Sequence, residues 1–206
     1  MTELATDPVI VVVRLDDPDA ATTAITGLLR GGARSIEVTM TVPSALGIIE
    51  SLRGQDAMIG AGTVLTRQDA LAAVAAGARY LVAPDTNPEV LAVGAEAGVP
   101  VVPGALTPTE IRQAAGLGAA AVKVFPVDAL GGPEYIRSLR GPLPDVPFVV
   151  SGGVTTPQAA QYFAAGVRSV CMGREFLDAA EIAARDIDAI AARAARVLSA
   201  VAPAAA

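Results

Sequence analysis

The chain alternates between short β-branched runs and longer stretches in which apolar residues recur at helical spacing. A glycine follows seven of the helical stretches, a few residues before the next β-branched run, at intervals of 20 to 25 residues. These glycines are Gly32, Gly54, Gly77, Gly98, Gly118, Gly141 and Gly166. The interval fits one strand, one helix and two short loops, because glycine readily adopts the left-handed conformation just past a helix.

One apolar run precedes the first of these glycines and another run follows each, which predicts eight strands. The predicted strands are 9–13, 35–39, 58–63, 80–83, 99–103, 120–125, 148–150 and 169–172. The predicted helices are 18–29, 43–52, 68–75, 88–96, 108–115, 133–139, 157–164 and 181–198. Strict alternation of strand and helix implies a parallel sheet, and eight equal units imply a single-domain (βα)8 TIM barrel over residues 1–198. An open doubly wound sheet is the alternative. Residues 199–206 are predicted to be a flexible tail.

The composition favours a soluble domain with a sizeable core. Of the 206 residues, 52% are hydrophobic and 17% are charged, which excludes a disordered chain. No apolar run reaches membrane-spanning length without Gly, Pro or a charge, and the first residues do not read as a secretory leader. We therefore expect a cytoplasmic protein that contacts no membrane. The net charge of −6, with no basic block, argues against a nucleic-acid partner.

The chain has no histidine and a single cysteine, Cys171, which narrows the possible chemistry. The usual zinc and copper sites need these side chains, as do Ser-His and Cys-His nucleophile pairs. We expect neither a metal nor another cofactor. Any proton transfer must use a carboxylate, lysine, tyrosine or water.

The only lysine, Lys123, lies in the apolar segment 119–126. Moving an ammonium group into a nonpolar interior costs several kcal/mol unless the group loses its proton or finds a partner. A neutral amine in that position can attack a carbonyl and form a Schiff base. The alternative is a lysine whose aliphatic stem crosses the strand end while its head reaches water.

Strand alternation pairs Lys123 with a carboxylate. Glu37 lies on the opposite face of its strand from Ile36 and Val38, which suit the helix-facing side, so Glu37 is predicted to point into the barrel. The same alternation points Lys123 inward. Because alternate strands fill the same interior layer, Glu37 and Lys123 can face each other. A buried ion pair without chemistry is the alternative.

Active sites of such barrels lie at the C-terminal ends of the strands. The third predicted strand ends in Thr63, after two glycines that allow another group to approach the backbone. Its hydroxyl is predicted to lie in the mouth, unless it only caps the next helix. Arg14, at the end of the first strand, is a candidate clamp for a carboxylate or phosphate, or else a surface charge.

Glycines also follow the last two strands. Gly152 and Gly153 follow the seventh strand, while Gly173 and Arg174 follow the eighth. Exposed amides at these two positions, together with a helix N-terminus, form the usual phosphate site of TIM barrels. We call these four residues the predicted phosphate site.

Six segments occur in the order and spacing of a known family. They are 36–39 (IEVT), 60–65 (GAGTVL), 103–110 (PGALTPTE), 122–126 (VKVFP), 131–135 (GGPEY) and 151–154 (SGGV). Through them the chain resembles the 2-keto-3-deoxy-6-phosphogluconate (KDPG) / 4-hydroxy-2-oxoglutarate (KHG) aldolase family over nearly its whole length.

The resemblance implies a metal-free class I aldolase, an aldehyde-lyase that is usually a homotrimer. Lys123 is expected to form the Schiff base and Glu37 to be the general acid/base, with substrate contacts from Thr63 and Phe125. The implied substrate is a phosphorylated 2-keto acid, a 2-keto-3-deoxy-6-phospho sugar acid that is cleaved to pyruvate and glyceraldehyde 3-phosphate. KHG is a further candidate. Phosphate contacts are expected from Gly152, Gly153 and Gly173.

Two positions depart from the family. Thr41 stands where members acting on 6-phosphogluconate derivatives usually have an arginine that binds the pyruvyl carboxylate, so we expect Arg14 to help hold that group. The 6-phosphogalactonate branch also tends to lack this arginine, which makes a 2-dehydro-3-deoxy-6-phosphogalactonate aldolase an alternative. Arg174 replaces the usual serine and either adds a charge to the phosphate site or points to solvent.

Two further functions fit the same residues. The first is a phosphate-binding barrel isomerase or epimerase in which Glu37 is the base and Lys123 acts only through its charge. The second is a noncatalytic sugar-phosphate-binding protein. Pyruvate formation distinguishes both from an aldolase.

Overall fold

The computed structural model describes residues 7–201, in which nine strands form one parallel sheet. The strands are β1 (Val9–Val13), β2 (Ser35–Thr39), β3 (Met58–Gly62), β4 (Leu81–Val82), β5 (Val101–Val102), β6 (Gly104–Ala105), β7 (Val122–Val124), β8 (Phe148–Val150) and β9 (Ser169–Met172). Their order in the sheet is β5-β4-β3-β2-β1-β9-β8-β7-β6. The two edge strands, β5 and β6, are separated in the chain only by Pro103.

Pro103 divides what is effectively one barrel strand, because proline has no N–H to donate to a ladder. On one side of it β5 pairs with β4, and on the other β6 pairs with β7. The Pro103 carbonyl still accepts a hydrogen bond from the Lys123 N–H at 2.8 Å. The divided strand therefore joins both edges of the sheet, and the predicted (βα)8 TIM barrel is confirmed.

Helices connect the strands and cover the outside of the barrel. They are α1 (Pro18–Arg30), α2 (Ala45–Ser51), α3 (Arg67–Ala76), α4 (Pro88–Ala97), α5 (Pro108–Gly116), α6 (Pro133–Arg140), α7 (Thr156–Ala164), α8 (Ala179–Ala183) and α9 (Ile187–Val201), with a 3-10 helix at Asp128–Leu130. Side-chain caps fix several starts, as at Thr66 and Thr107, whose hydroxyls each accept the N–H of the acidic residue three places on. The glycines predicted to end helices have φ between 67° and 98°, except Gly141 at −54°.

The C-terminal region differs from its prediction in two ways. The predicted helix 181–198 is two helices, because Arg185 adopts a left-handed φ of 54° and Asp186 then caps α9 by accepting the Ala189 N–H at 2.9 Å. The predicted tail is wrong for residues 199–201, since α9 continues to Val201 and that side chain is buried. Residues 202–206 lie outside the described part. Within residues 7–201 no helix has both the length and the hydropathy needed to cross a membrane.

Buried apolar side chains form two clusters on opposite faces of the sheet. The outer cluster, between strands and helices, includes the outward-facing Ile36, Val38, Val122 and Val124. The interior cluster consists of Ile10, Met58, Tyr80, Val82, Val102, Ala121, Val149 and Cys171, with Val12 packed against it. Removing this area from water stabilises the barrel by roughly 25 cal/mol per Å². The interior cluster also fills the barrel beneath the strand ends.

Candidate active site

Glu37 and Lys123 are the two charged side chains that are buried within residues 7–201. Glu37 on β2 is 3% exposed and Lys123 on β7 is 6% exposed. The residues on either side of each belong to the outer cluster, so both side chains point into the barrel, as predicted. The site therefore contains an amine and a carboxylate held out of water at the strand ends.

The Glu37 carboxylate is poised to exchange protons. Its Oε2 is buried and accepts no hydrogen bond from any described residue. Burial raises the pKa of Glu37, while the charges of Lys123 and Arg14 oppose that rise. A carboxyl group whose pKa is shifted toward neutrality is suited to general acid/base catalysis.

The glycines of β3 create the space that Glu37 occupies. A Cβ at Gly62 would lie 2.0 Å from Glu37 Oε1, and a Cβ at Gly60 would lie 2.4 Å from the Tyr80 ring. Real Cβ atoms cannot approach other atoms so closely, so each glycine admits one side chain. The sequence indicated a close approach on this strand, and the structure identifies the two approaching groups.

Lys123 is bordered by an aromatic ring and a thiol. Its Nζ lies 5.3 Å from the centroid of Phe125, a ring that is 36% exposed at the barrel rim. Phe125 lies one residue beyond the end of β7 and is only partly covered. Burial and the Glu37 carboxylate raise the pKa of the Cys171 thiol, while Lys123 opposes them. Cys171 is thus close to both charged groups.

Arg14 crosses the mouth above β2. It follows β1, and its Nη2 donates a hydrogen bond of 3.1 Å to Thr63 Oγ1, which follows β3. Since β2 lies between those strands, the guanidinium group spans the strand that carries Glu37. Thr63 has a left-handed φ of 57°, a rare conformation for a β-branched residue and one that is concentrated at functional sites.

A cavity of about 540 Å³ opens at the mouth of the barrel beside Arg14. All four residues of the predicted phosphate site line it, together with Arg14. The full lining is Val12, Arg14, Leu15, Ser151, Gly152, Gly153, Val154, Thr155, Cys171, Met172, Gly173, Arg174, Glu175 and Leu177. Arg14 therefore lines the cavity and also acts on Glu37 through its charge. Phe125 instead lines a separate cavity of about 340 Å³ with Leu106 and Glu110.

Sequence reasoning missed two residues around the site. Tyr80 is fully buried in the barrel, and its hydroxyl accepts a hydrogen bond from Ser35 Oγ at 3.3 Å. Burial and the Glu37 charge raise the pKa of Tyr80. Its position two residues before the inward-facing Val82 was a signal that alternation could have used. Glu175 lines the cavity from an irregular segment, where no periodic pattern predicts the direction of a side chain.

Within residues 7–201 no group of three His, Cys, Asp or Glu side chains is arranged to hold a metal ion.

The chain is similar to known proteins over nearly its whole length. Residues 1–193 match the sequence model of a family described as KDPG and KHG aldolase. The chain belongs to that aldolase family. It is accordingly a lyase.

Three relatives illustrate the match. The 2-dehydro-3-deoxy-phosphogluconate aldolase of Treponema pallidum is 38% identical over 186 residues, 89% of each chain. The 2-dehydro-3-deoxy-6-phosphogalactonate aldolase of Escherichia coli is 32% identical over 189 residues, 90% of this chain and 92% of that one. The KDPG aldolase structure from Legionella pneumophila, with pyruvate captured as a covalent carbinolamine intermediate, superposes with a TM-score of 0.85 at 30% identity, covering 94% of this chain and 95% of that one.

Proposed function

We propose that this protein is a class I, Schiff-base-forming aldolase. Its substrate is a 2-keto-3-deoxy-6-phospho sugar acid, which it cleaves to pyruvate and glyceraldehyde 3-phosphate. The observation that carries this proposal is the burial of the only lysine at the strand ends of a barrel beside a carboxylate with an unsatisfied oxygen. The family, and the covalent pyruvate adduct named for the Legionella relative, support the same chemistry.

The first half of the reaction forms an iminium ion on Lys123. The neutral amine attacks the C2 ketone, a nitrogen–carbon bond forms, and the carbonyl oxygen takes up a proton to give a carbinolamine. Glu37, acting through a water molecule, protonates the departing hydroxyl, which leaves as water. The resulting iminium ion can accept an electron pair from the neighbouring carbon.

The second half breaks the carbon–carbon bond. The C4 hydroxyl gives up its proton to the Glu37 carboxylate through a water molecule. The C3–C4 bond breaks, and its electron pair moves into the iminium to form an enamine as glyceraldehyde 3-phosphate leaves. Glu37 then protonates C3 of the enamine. Water adds to the new iminium, pyruvate departs, and the Lys123 amine is restored for another cycle.

Each end of the substrate has its own binding residues in this proposal. Arg14 holds the carboxylate, since its guanidinium group already lies over the Glu37 strand, and the Thr63 hydroxyl completes that contact. The predicted phosphate site receives the phosphate in the adjoining cavity. Phe125 borders the reacting amine. A guanidinium–carboxylate pair is directional enough to orient C2 toward Lys123.

The gluconate series is the proposed substrate series, with KHG as a second substrate. Thr41 is exposed, and its hydroxyl shares a 2.9 Å hydrogen bond with Thr39 Oγ1, so the carboxylate contact falls to Arg14 in either series. Pyruvate release from KDPG and from its galactonate diastereomer, measured side by side, decides between them. Faster release from the galactonate compound would reverse this part of the proposal.

We further propose that the protein is a homotrimer, that it is cytoplasmic, and that it binds no nucleic acid. Several large apolar side chains are exposed and could be covered by another copy: Leu65, Leu71, Leu117 and Leu130, each between 43% and 48% exposed. Light scattering coupled to size exclusion should give three times the 20.7 kDa chain mass. A monomeric mass would contradict the trimer.

A coupled lactate dehydrogenase assay tests the reaction itself. Purified protein with KDPG is expected to consume NADH as pyruvate appears, in proportion to enzyme concentration. A rearranged sugar phosphate without pyruvate would indicate the isomerase or epimerase alternative. Binding of KDPG without any conversion would indicate a noncatalytic binding protein.

A further inference from the structure

A carboxylate of the chain itself lies on the phosphate side of the cavity. Glu175 is half-buried, follows Gly173 by two residues and lines the cavity. Its Oε2 accepts hydrogen bonds from the Thr156 N–H at 3.1 Å and from Thr156 Oγ1 at 2.5 Å. Thr156 is the first residue of α7. Glu175 thus binds the N-terminal turn of the helix that follows the glycines of β8.

The protein's own side chains therefore occupy donors that commonly bind phosphate. Besides Glu175, Gln158 Oε1 accepts the Thr155 N–H at 3.1 Å and the Thr155 hydroxyl at 2.8 Å. By contrast, the N–H groups of Gly152 and Gly153 donate to no atom of residues 7–201. A helix N-terminus attracts anions through its free amides and partial positive charge. Here a carboxylate already satisfies that attraction, and the free amides are those of the two glycines.

The charges of the cavity wall also affect how well a phosphate can bind there. Its charged side chains are Arg14, Arg174 and Glu175. Arg14 is hydrogen-bonded to Thr63 and, in the proposed function, holds the substrate carboxylate. Arg174 and Glu175, opposite in sign, are then the remaining charges of the wall, while the Asp128 side chain lies against Gly153 from outside it. A nearby negative charge disfavours a second anion in a confined site.

We propose that Glu175 is a selectivity residue that weakens the preference of this site for phosphorylated substrates. Glu175 occupies the N-terminus of α7 and repels a phosphate dianion. The kcat/KM values for substrates with and without phosphate are therefore closer to each other than the arginines and glycine amides alone would make them. This inference rests on the proposed aldolase function. Glu175 touches none of the reacting atoms.

The synthetic direction offers a matched pair of substrates. Addition of pyruvate to D-glyceraldehyde 3-phosphate and to D-glyceraldehyde differs only in the phosphate, so the ratio of the two kcat/KM values measures phosphate selectivity. In Glu175→Gln this ratio is expected to rise about three- to tenfold at low salt, and less at high salt where charges are screened. The glutamine keeps an oxygen that can accept from Thr156. The control is Glu50→Gln, which removes the same charge from an exposed position near the end of α2 and outside the cavity. Its ratio should equal that of the wild type.

Inorganic phosphate gives a second readout that needs no phosphorylated aldehyde. As a competitive inhibitor of the glyceraldehyde reaction it is expected to bind Glu175→Gln several-fold more tightly than wild type, with the thermal midpoint checking that the variant is folded. An unchanged or lowered ratio with an unchanged inhibition constant overturns the proposal. If wild-type Lys123 still forms a pyruvate adduct, that failure concerns Glu175 alone. If the wild type adds neither aldehyde and forms no adduct, the aldolase function fails as well.

Discussion

The two buried regions of the barrel differ in the groups they hold. The outer cluster contains no charged side chain, whereas the interior contains both buried charges, Glu37 and Lys123. Burying a charge destabilises a fold unless other interactions offset the lost hydration. Ionisable groups kept in such an environment are therefore concentrated at functional sites. The outer cluster stabilises the barrel, and the interior at the strand ends holds the groups proposed to carry out its chemistry.

The two roles alternate residue by residue along the same strands. Lys123 points into the barrel, while its neighbours Val122 and Val124 pack outside it. A strand thus carries a stabilising face and a reactive face only one residue apart. Substitutions on the two faces should have different consequences, which the following variants test.

Glu37→Gln is expected to have the largest effect. Turnover should fall by roughly two to four orders of magnitude, the usual contribution of a general acid/base, while substrate still binds. Steady-state kinetics of pyruvate release measures this, with the exposed Glu50→Gln as the charge-matched control. Near wild-type turnover would remove Glu37 from the mechanism.

Of the two glycines on β3, Gly62 lies against the candidate active site and Gly60 lies against the packed interior. In Gly62→Ala the new Cβ would collide with the Glu37 carboxylate, so kcat/KM should fall about 100-fold through misplacement of the acid/base. In Gly60→Ala the collision is with the Tyr80 ring, so the main effect should be a loss of about 1–3 kcal/mol in unfolding free energy. Kinetics and denaturant unfolding of both variants make the comparison. Equal loss of activity in the two would contradict the assignment of Gly62 to the site.

Arg14→Ala should have a smaller effect, because Arg14 is exposed and its proposed role is to bind substrate without reacting. The loss of one hydrogen bond to a charged group, about 1.5 kcal/mol, corresponds to a roughly tenfold rise in KM. The rise should appear for pyruvate in the synthetic direction and for the sugar acid in cleavage. If only phosphorylated ligands were affected, Arg14 would belong to the phosphate site instead.

The pH dependence of stability gives the smallest predicted signal. Burial raises the pKa of Glu37 above its ordinary value of 4.5. At pH values between 4.5 and this raised pKa, Glu37 is protonated more in the folded protein than in the unfolded chain. The contribution of the protonated Glu37 side chain to stability is therefore lost as pH rises from 4.5 through the folded pKa. Urea unfolding across this range should give a more negative slope of stability against pH in wild type than in Glu37→Gln. Identical slopes in the two proteins would contradict a raised pKa.

Periodicity in the sequence predicted the barrel and the inward direction of Glu37 and Lys123, because alternation along a strand is a local property. It also placed the glycines of the predicted phosphate site at strand ends, where they line the cavity. Breaks inside elements were not predicted. Pro103 divides one barrel strand and Arg185 divides the last helix, although apolar residues continue on both sides of each break.

Contacts between distant segments lay beyond a local pattern. The hydrogen bond from Arg14 to Thr63 joins residues 49 positions apart, and that between Thr156 and Glu175 joins residues 19 apart. Such contacts depend on how loops meet at the mouth. Their side-chain directions are fixed by tertiary packing, which hydrophobic spacing does not encode.

Trapping the Schiff base tests the central claim most directly. Protein incubated with pyruvate and borohydride, then digested and weighed, should carry a reduced pyruvyl adduct on the Lys123 peptide, with a parallel loss of activity. Because the chain has one lysine, the only competing amine is the N-terminus, whose adduct would lie on another peptide, and Lys123→Met serves as the unlabelled control. An unmodified Lys123 in enzyme that still releases pyruvate would contradict the Schiff-base mechanism.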